Sequence, residues 1–236
     1  MSRKKAAPAG ANTTKIFYGV LALVAVVGIG GILVARARSA GMATEPLELS
    51  QMNDATTLVQ QAQGIAIGEE SAPIQMLVFS DYMCPACAVW AGQVEPMVKR
   101  DFVETGKVRL TYYDFPLSPG HRFSFVAARA ARCAGDQGKF WDYHDRLFGA
   151  QTQWSYVASM PIDQFIQYGR DIALDMGSFE SCVKSDQHAE VVTANKMLGE
   201  TLGVGGTPTV FVNGRQLQQW SNYTSVKEYL DGLIGS

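Results

Sequence analysis

The clearest chemistry in the sequence lies at Cys84-Pro85-Ala86-Cys87. Two cysteines separated by two residues can close a small disulfide ring, and this pair directly follows a short apolar segment that predicts a buried strand. Pro85 suits the first turn of a helix, where its missing N–H costs little. The free N–H groups and dipole of a helix N-terminus favour an anion, so the first thiol can ionise near neutral pH and act as a nucleophile. The motif therefore predicts thiol–disulfide exchange.

A structural disulfide and half of a zinc site are the alternatives for this motif. Zinc requires further ligands at close spacing, and the remaining cysteines, Cys133 and Cys182, are isolated from each other and from the three histidines. We therefore expect no metal. In an oxidising compartment Cys133 and Cys182 are predicted to pair as a structural disulfide, with two buried free thiols as the alternative.

A second motif runs from Gly203 to Thr209, ahead of a predicted strand. A proline that enters a central strand is disfavoured unless its peptide geometry is special, and a cis Thr207–Pro208 bond would be such a geometry. Backbone groups of Thr207 could then pair with an extended substrate segment beside the sulfurs. An ordinary glycine-rich turn with a trans proline is the alternative.

The elements around these motifs indicate one α/β domain. Ile74–Ser80 predicts a strand buried on both faces, Lys107–Phe115 predicts a second strand, and Pro85–Arg100 has the apolar spacing of a helix. This order predicts a parallel pair of strands joined by a crossover helix. From residue 121 to residue 199 the pattern is helical.

The C-terminal part predicts a hairpin and a helix. Thr209–Asn213 and the residues from 215 to 219 flank Asn213-Gly214, a dipeptide that favours a two-residue turn because both positions tolerate positive φ. The last helix is predicted from about Ser225 to Ile234, with Ser225 and Glu228 at the spacing of a capping box.

The N-terminal part has the pattern of a membrane anchor. Residues 16–35 contain no charge, and at about 1.5 Å per residue a helix of this length matches a hydrocarbon core of about 30 Å. Basic residues before it predict a cytoplasmic N-terminal segment (residues 1–15), and residues 36–63 are predicted as a polar linker. A cleaved signal peptide is the alternative for the apolar segment.

The charge distribution excludes one class of partner. Six of the 20 basic residues precede Ser39 and all 22 acidic residues follow it, so residues 39–236 contain 14 basic and 22 acidic residues, a net charge of −8. A domain of this sign lacks the positive surface that binds a phosphate backbone, so we expect no nucleic-acid partner.

Three separated motifs resemble the DsbA-type thiol:disulfide oxidoreductases, in particular their membrane-anchored, thioredoxin-like branch with a helical insertion. The resemblance covers roughly residues 64–234. The motifs are residues 79–87 (FSDYMCPAC), residues 131–141 (ARCAGDQGKFW) with Tyr143-His144-Asp145, and residues 203–211 (GVGGTPTVF) followed by Val212-Asn213-Gly214.

This resemblance implies an α/β, thioredoxin-like fold over residues 64–236, with a helical insertion at about 116–202 and one transmembrane helix before it. It implies that Cys84 is the attacking thiol, Cys87 the resolving thiol, Pro208 the cis-proline and Thr207 its substrate-contacting neighbour. The redox-active cysteine pair would serve without a further cofactor.

Two departures from the family concern the residues that tune the active site. Pro85 matches the family, but Ala86 stands where enteric DsbA has a histidine, so a strongly oxidising potential is not implied. Some relatives carry a buried acid on the strand before the motif, and Ile74–Ser80 contains none. Asp81 is the nearest carboxylate, and we expect it to cap a turn or lie in solvent, with proton transfer to Cys87 as the alternative.

These observations predict a membrane-anchored, extracytoplasmic enzyme that introduces disulfides into reduced or unfolded exported proteins. A membrane quinone-linked partner of the DsbB or vitamin K epoxide reductase type would reoxidise it, as the resemblance implies. A reductase or isomerase of the same fold is one alternative. A chaperone-like binding module with a purely structural Cys84–Cys87 disulfide is the other.

Overall fold

The computed structural model describes residues 42–49 and 55–235. The predicted N-terminal segment and membrane anchor lie outside these residues. Within the part of the chain that is described, no helix has the length and apolar character needed to cross a membrane.

Five strands form one sheet in the order β1-β3-β2-β4-β5. The strands are β1 (Ile65–Ile67), β2 (Ile74–Ser80), β3 (Val108–Asp114), β4 (Thr209–Val212) and β5 (Arg215–Gln216). Strands β2 and β3 are parallel, as predicted, and the other neighbouring pairs are antiparallel.

Ten α-helices are present in the described residues. They are α1 (Ala55–Gln61), α2 (Pro85–Val89), α3 (Glu95–Val98), α4 (Ser124–Gly135), α5 (Phe140–Gly149), α6 (Gln151–Trp154), α7 (Ile162–Asp171), α8 (Met176–Val183), α9 (Ala189–Thr201) and α10 (Tyr223–Ile234). Helices α4 to α9 lie between β3 and β4 and form the predicted helical insertion.

The crossover helix between β2 and β3 is interrupted by π-helical turns. Trp90–Val94 follows α2, and Lys99–Val103 follows α3. Pro96 has no N–H to donate and its ring crowds the carbonyl of Gly92, so the regular hydrogen-bond ladder cannot continue through this turn. The wider π turn lets the chain pass the proline without ending the helical path.

The sheet packs apolar residues on both faces at the end where the cysteine motif begins. On one face Met76 and Val78 of β2 pack with Trp90 and with Leu230 of α10. On the other face Phe79 packs with aromatic and aliphatic residues that lead into and out of the insertion. Gln75 is exposed, so burial on both faces is confirmed only for the second half of β2.

Residues within the segment predicted as a linker contact the domain. The Ala43 N–H donates to Asp186 at 2.6 Å, the Leu47 N–H donates to Thr193 at 3.0 Å, and Leu58 of α1 is buried. These described residues therefore lie against the helical insertion.

Two local features differ from the prediction. Strand β1 was not expected, because a three-residue strand gives a weak periodic signal. The prediction of a capping box at Ser225 is wrong. Helix α10 begins at Tyr223, and the Asn222 side chain accepts the Ser225 N–H at 3.1 Å, so Asn222 is the cap.

The predicted hairpin turn is confirmed. Asn213 and Gly214 have φ values of 48° and 79°, and they connect the antiparallel strands β4 and β5. The side chain of Asn213 also accepts the N–H of Gln75 in β2 at 2.8 Å, which ties the turn to the neighbouring strand.

Candidate active site

The turn between β2 and α2 fixes the position of the first cysteine. Cys84 has the extended backbone of a helix N-cap, with φ −73° and ψ 122°, and Pro85 occupies the first helical turn. The Cys84 N–H donates to the Asp81 carbonyl at 3.1 Å, and its carbonyl accepts the Ala88 N–H at 3.2 Å. The thiol therefore lies at the N-terminal end of the helix, as predicted.

The two cysteines differ in their exposure to solvent. Cys84 and Cys87 are free thiols; Cys84 keeps 7% of its surface exposed and Cys87 none. The Cys84 thiol donates to the Thr207 carbonyl at 3.3 Å, and the Asp81 N–H donates to the Cys87 sulfur at 3.4 Å. Of the two cysteines, only Cys84 presents any surface to an approaching reactant.

The pKa values of the two thiols are shifted in opposite directions. The hydrogen bond from the Cys87 thiol is the largest cause that lowers the pKa of Cys84, which falls to about 5 although burial opposes the change. The Thr207 hydroxyl and the N–H groups of Cys87 and Ala86 contribute to the lowering. Burial, followed by the adjacent Cys84, raises the pKa of Cys87 well above its usual range. Cys84 is suited to be the thiolate and Cys87 to hold the proton.

The second predicted motif lies beside Cys84. The Thr207–Pro208 peptide bond is cis, as predicted. The Thr207 hydroxyl is buried and makes no hydrogen bond within the described residues while the neutral Cys84 thiol donates to the Thr207 carbonyl, so the hydroxyl is free to donate to the sulfur when Cys84 is ionised. The sequence predicts a role for the backbone of Thr207 but not for its hydroxyl, because it does not reveal which side of a loop faces the sulfur.

Asp81 is a buried hydrogen-bond centre. Its side chain is fully buried, so the expectation of a solvated acid is wrong. It accepts the Met83 N–H at 2.7 Å, and thus caps the turn before Cys84. It also accepts the Leu117 N–H at 2.7 Å and the Ser124 hydroxyl at 2.6 Å, and lies 2.8 Å from Nδ1 of His121. The contact with Cys87 comes from its backbone N–H, not from its carboxylate.

Gln151 of the helical insertion holds the same turn from the other side. Its buried side-chain amide donates to the carbonyls of Tyr82 and Cys84 at 2.8 and 2.9 Å. The sequence offers no motif for this role, because a single glutamine in a helical segment is usually solvent-exposed.

A buried acid is present, although not on β2. Glu95 of α3 accepts the Trp90 indole N–H at 2.9 Å, pairs with Lys99 at 2.6 Å and lies 3.3 Å from His144 Nε2. Burial alone would raise the pKa of Glu95, but His144 and Lys99 outweigh it and lower the pKa to about 2. The other His144 nitrogen lies 3.2 Å from the Tyr82 hydroxyl, which extends this network to the residue after Asp81.

Two side-chain clusters in the described residues have the composition of a metal site, and neither suits an ion. The first consists of Glu95, His144 and Asp145, and the ammonium group of Lys99 already lies between its carboxylates, 2.6 Å from Glu95 and 3.9 Å from Asp145. The second, centred on His188, contains Cys133 and Cys182, whose sulfurs are bonded to each other.

The predicted second disulfide is present. Cys133 of α4 and Cys182 of α8 are joined across 49 positions of sequence. The contacts described for the Cys84 and Cys87 sulfurs involve neither residue, so the structure separates this disulfide from the active-site pair.

Comparison with known proteins identifies the family. A thioredoxin family model matches residues 60–232, and the chain therefore belongs to the thioredoxin family. Disulfide bond formation protein D of Bacillus subtilis is 24% identical over 185 residues, which cover 77% of this chain and 82% of that protein.

Solved structures share the fold. The oxidised BdbD of Bacillus subtilis matches with a TM-score of 0.66 at 19% identity. The match covers 84% of this chain and 100% of the BdbD chain. The DsbA of Chlamydia trachomatis matches with a TM-score of 0.63 at 22% identity. The match covers 72% of this chain and 91% of the DsbA chain. The thioredoxin-like fold with a helical insertion and the resemblance to DsbA-type protein disulfide oxidoreductases are thereby confirmed.

Other relatives are much longer than the matched segment. A protein named Na(+)/H(+) antiporter NhaA 1, of Salinispora arenicola, is 35% identical over 150 residues, which cover 63% of this chain and 21% of the antiporter. The chain thus spans about a fifth of the length of this relative.

Proposed function

We propose that the chain is an extracytoplasmic protein disulfide oxidase that uses Cys84 and Cys87 as its redox couple. The observation that carries the proposal is the division of roles between the two thiols. Cys84 keeps an exposed edge and has a pKa lowered to about 5, whereas Cys87 is fully buried with a raised pKa.

The exchange begins with the oxidised pair. A substrate thiolate attacks the Cys84 sulfur, a new substrate–Cys84 bond forms, and the Cys84–Cys87 bond breaks. Cys87 leaves as a thiolate and takes up a proton, as its raised pKa favours. A second substrate thiolate then attacks the substrate sulfur and releases Cys84. The substrate is oxidised by two electrons, and the enzyme ends with a Cys84 thiolate and a Cys87 thiol.

The low pKa of Cys84 favours the oxidising direction. The reduced enzyme is stabilised whenever Cys84 is ionised, and a stable reduced form makes a disulfide a stronger oxidant. At pH 7 a thiol with a pKa of about 5 is roughly 99% ionised, so Cys84 is also a good leaving group. The low pKa of Cys84 therefore supports an oxidase over a reductase of the same fold.

Thr207 supports the binding of an extended substrate. Its carbonyl lies within hydrogen-bond distance of the Cys84 sulfur, so a substrate strand that pairs with this backbone would bring its own cysteine beside Cys84. Reduced or unfolded exported proteins fit this mode, because an extended segment is available only before they fold.

The location of the enzyme is part of the proposal. The apolar residues 16–35 and the basic residues before them support a single-pass anchor with the domain outside the cytoplasm. The Cys133–Cys182 disulfide is typical of an oxidising compartment. A quinone-linked reoxidase in the same membrane would complete the cycle.

The reduction potential of the full-length chain tests the direction of electron flow. We expect a value between about −120 and −180 mV in glutathione buffers, with the oxidation of each cysteine followed by mass spectrometry. A value near about −270 mV would identify a reductant.

Two variants test whether the cysteine pair is catalytic. Cys84→Ser should abolish the oxidation of a reduced peptide, and Cys87→Ser should accumulate a mixed disulfide at Cys84. Full activity in Cys84→Ser would show that Cys84 is not the nucleophile, and a wild-type chain that binds the reduced peptide without oxidising it would favour the chaperone-like module. A Cys133→Ser/Cys182→Ser variant serves as the control, since it removes two cysteines without touching the proposed couple.

A further inference from the structure

His121 contacts the turn that precedes Cys84. It lies in the segment between β3 and α4, and its Nδ1 is 2.8 Å from Oδ2 of Asp81. About a quarter of the His121 side chain is exposed, whereas the Asp81 side chain is fully buried. The imidazole is therefore the solvent-exposed partner of this pair, and the Asp81 carboxylate, three residues before Cys84, is the buried partner.

Asp81 connects this imidazole to both cysteines. Its carbonyl accepts the Cys84 N–H at 3.1 Å, and its N–H donates to the Cys87 sulfur at 3.4 Å. The geometry thus joins the proposed nucleophile, the proposed resolving thiol and an ionisable imidazole through a single residue.

The Asp81 carboxylate receives four hydrogen-bond donors. Oδ1 accepts from the Met83 N–H and the Ser124 hydroxyl, and Oδ2 accepts from the Leu117 N–H and the His121 imidazole. This arrangement suits an anion. A buried negative charge one turn from Cys84 would oppose the formation of a thiolate unless a cation balances it.

We propose that His121, held by Asp81, is a positioning residue whose positive charge stabilises the Cys84 thiolate and hence the reduced form of the couple. The proposal rests on the dithiol function proposed above. It gives His121 the electrostatic role that Ala86, inside the cysteine motif, is unable to fill.

The surroundings of His121 agree with this role. The hydrogen bond to Asp81 is the largest cause that raises the pKa of His121; burial opposes it, and the charges of Asp81 and of Cys84 raise it further. Arg122 is the neighbouring cation, and its guanidinium donates to the Val157 carbonyl and lies over the Phe123 ring.

If the charge of His121 affects the redox equilibrium of the cysteine pair, the redox state of the pair must also affect the pKa of His121. Oxidation removes the Cys84 thiolate, so the pKa of His121 should be higher in the reduced protein than in the oxidised protein. Reduction by two glutathione molecules supplies two electrons and two thiol protons. One proton goes to Cys87. The other goes to solvent or, at a pH between the two His121 pKa values, in part to His121.

The test compares the full-length wild-type chain with His121→Gln. Glutamine can still donate a hydrogen bond to Asp81 but carries no charge. We expect the equilibrium constant for reduction by glutathione to fall about tenfold at a pH where His121 is protonated, equivalent to about 30 mV, and the pKa of Cys84 to rise by about one unit. The difference should vanish at a pH above the His121 pKa, because both proteins are then neutral at this position.

His188→Gln is the matched control, since His188 Nε2 lies 2.9 Å from Asp136 in a similar pair that does not contact the cysteine motif. It should leave the equilibrium unchanged. An unchanged equilibrium in His121→Gln overturns the proposal for His121 but leaves the dithiol function intact. A wild-type chain that does not exchange with glutathione overturns both.

An NMR titration of wild-type His121 decides the matter if the variant fails to fold. A higher pKa in the reduced protein supports the proposal, and equal values in the two redox states overturn it.

Discussion

The Cys84 sulfur lies 3.3 Å from the carbonyl oxygen of Thr207, a residue 123 positions later in the chain. The pairing of β2 with β4 produces this proximity. Phe79 of β2 lies opposite Thr209 of β4, so the residues that follow β2 and those that precede β4 meet at the same end of the sheet. The environment of the nucleophile is therefore set by the sheet as much as by its own helix.

Replacement of Thr207 by Val should raise the pKa of Cys84. The substitution removes the hydroxyl that helps to stabilise the thiolate but keeps the carbonyl and the branched shape of the side chain. A hydrogen bond to a charged group contributes roughly 1.5 kcal/mol, which corresponds to about one pKa unit. The thiolate absorbance near 240 nm, followed against pH in the reduced protein, measures this change.

Thr209→Val is the control for that experiment. The Thr209 hydroxyl donates to the Gly206 carbonyl at 2.8 Å in the same loop, and no described contact joins it to either active-site sulfur. It should lower stability without shifting the Cys84 titration. Equal shifts in the two variants would mean that loop distortion, and not the Thr207 hydroxyl, controls the thiolate.

Gln151→Met should destabilise the turn before the active-site helix. The variant keeps the length of the side chain but leaves the carbonyls of Tyr82 and Cys84 without their side-chain donor. An unsatisfied buried group costs about 1 to 3 kcal/mol, so we expect a loss of about 2 kcal/mol in denaturant unfolding. Gln153→Met, at an exposed neighbouring position, should change stability by less than about 0.5 kcal/mol. Similar losses in both would argue against a specific role for the Gln151 amide.

Removal of the Cys133–Cys182 disulfide should weaken the insertion and leave the active site unchanged. Closing a loop of 49 residues contributes roughly 4 kcal/mol in the chain-entropy model. We expect Cys133→Ser/Cys182→Ser to lose stability of this order in denaturant unfolding. Its reduction potential should equal that of the wild-type protein. A shifted potential would show that the second disulfide communicates with the Cys84–Cys87 couple.

The sequence predicted the parts of the fold that have strong local signals. β2 was assigned to its observed residues, and the crossover helix and the Asn213-Gly214 turn followed from apolar spacing and from backbone preference. The cysteine motif could be placed at a helix N-terminus because strand, proline and thiols are adjacent in the chain.

Contacts between residues that are distant in sequence could not be predicted from such local signals. Gln151 reaches the cysteine turn only after the insertion folds back on the sheet, and the Thr207 hydroxyl only after β4 pairs with β2; neither has a local signal. Asp81 illustrates the same limit. Its position next to the motif was evident, but its burial depends on donors 36 to 43 positions away.

Glu95→Gln should remove an acid-sensitive part of the stability. The pKa of Glu95 is lowered to about 2 in the folded protein, against about 4.3 in an unfolded chain, so its ionisation stabilises the fold above the higher value. This contribution, about 3 kcal/mol, is lost as the pH falls from about 4.5 towards 2. The variant should be less stable than wild type at pH 7 by a similar amount, and the difference should shrink in acid.

Unfolding by denaturant at a series of pH values measures that difference. Glu180→Gln is the control, because Glu180 forms surface ion pairs with Arg170 and Lys184 and should contribute no more than about 1 kcal/mol at any pH. A Glu95→Gln protein that follows the same pH profile as wild type would mean that Lys99 and His144 do not stabilise the Glu95 carboxylate. The buried acid would then serve only to accept the Trp90 hydrogen bond, which a glutamine oxygen can also accept.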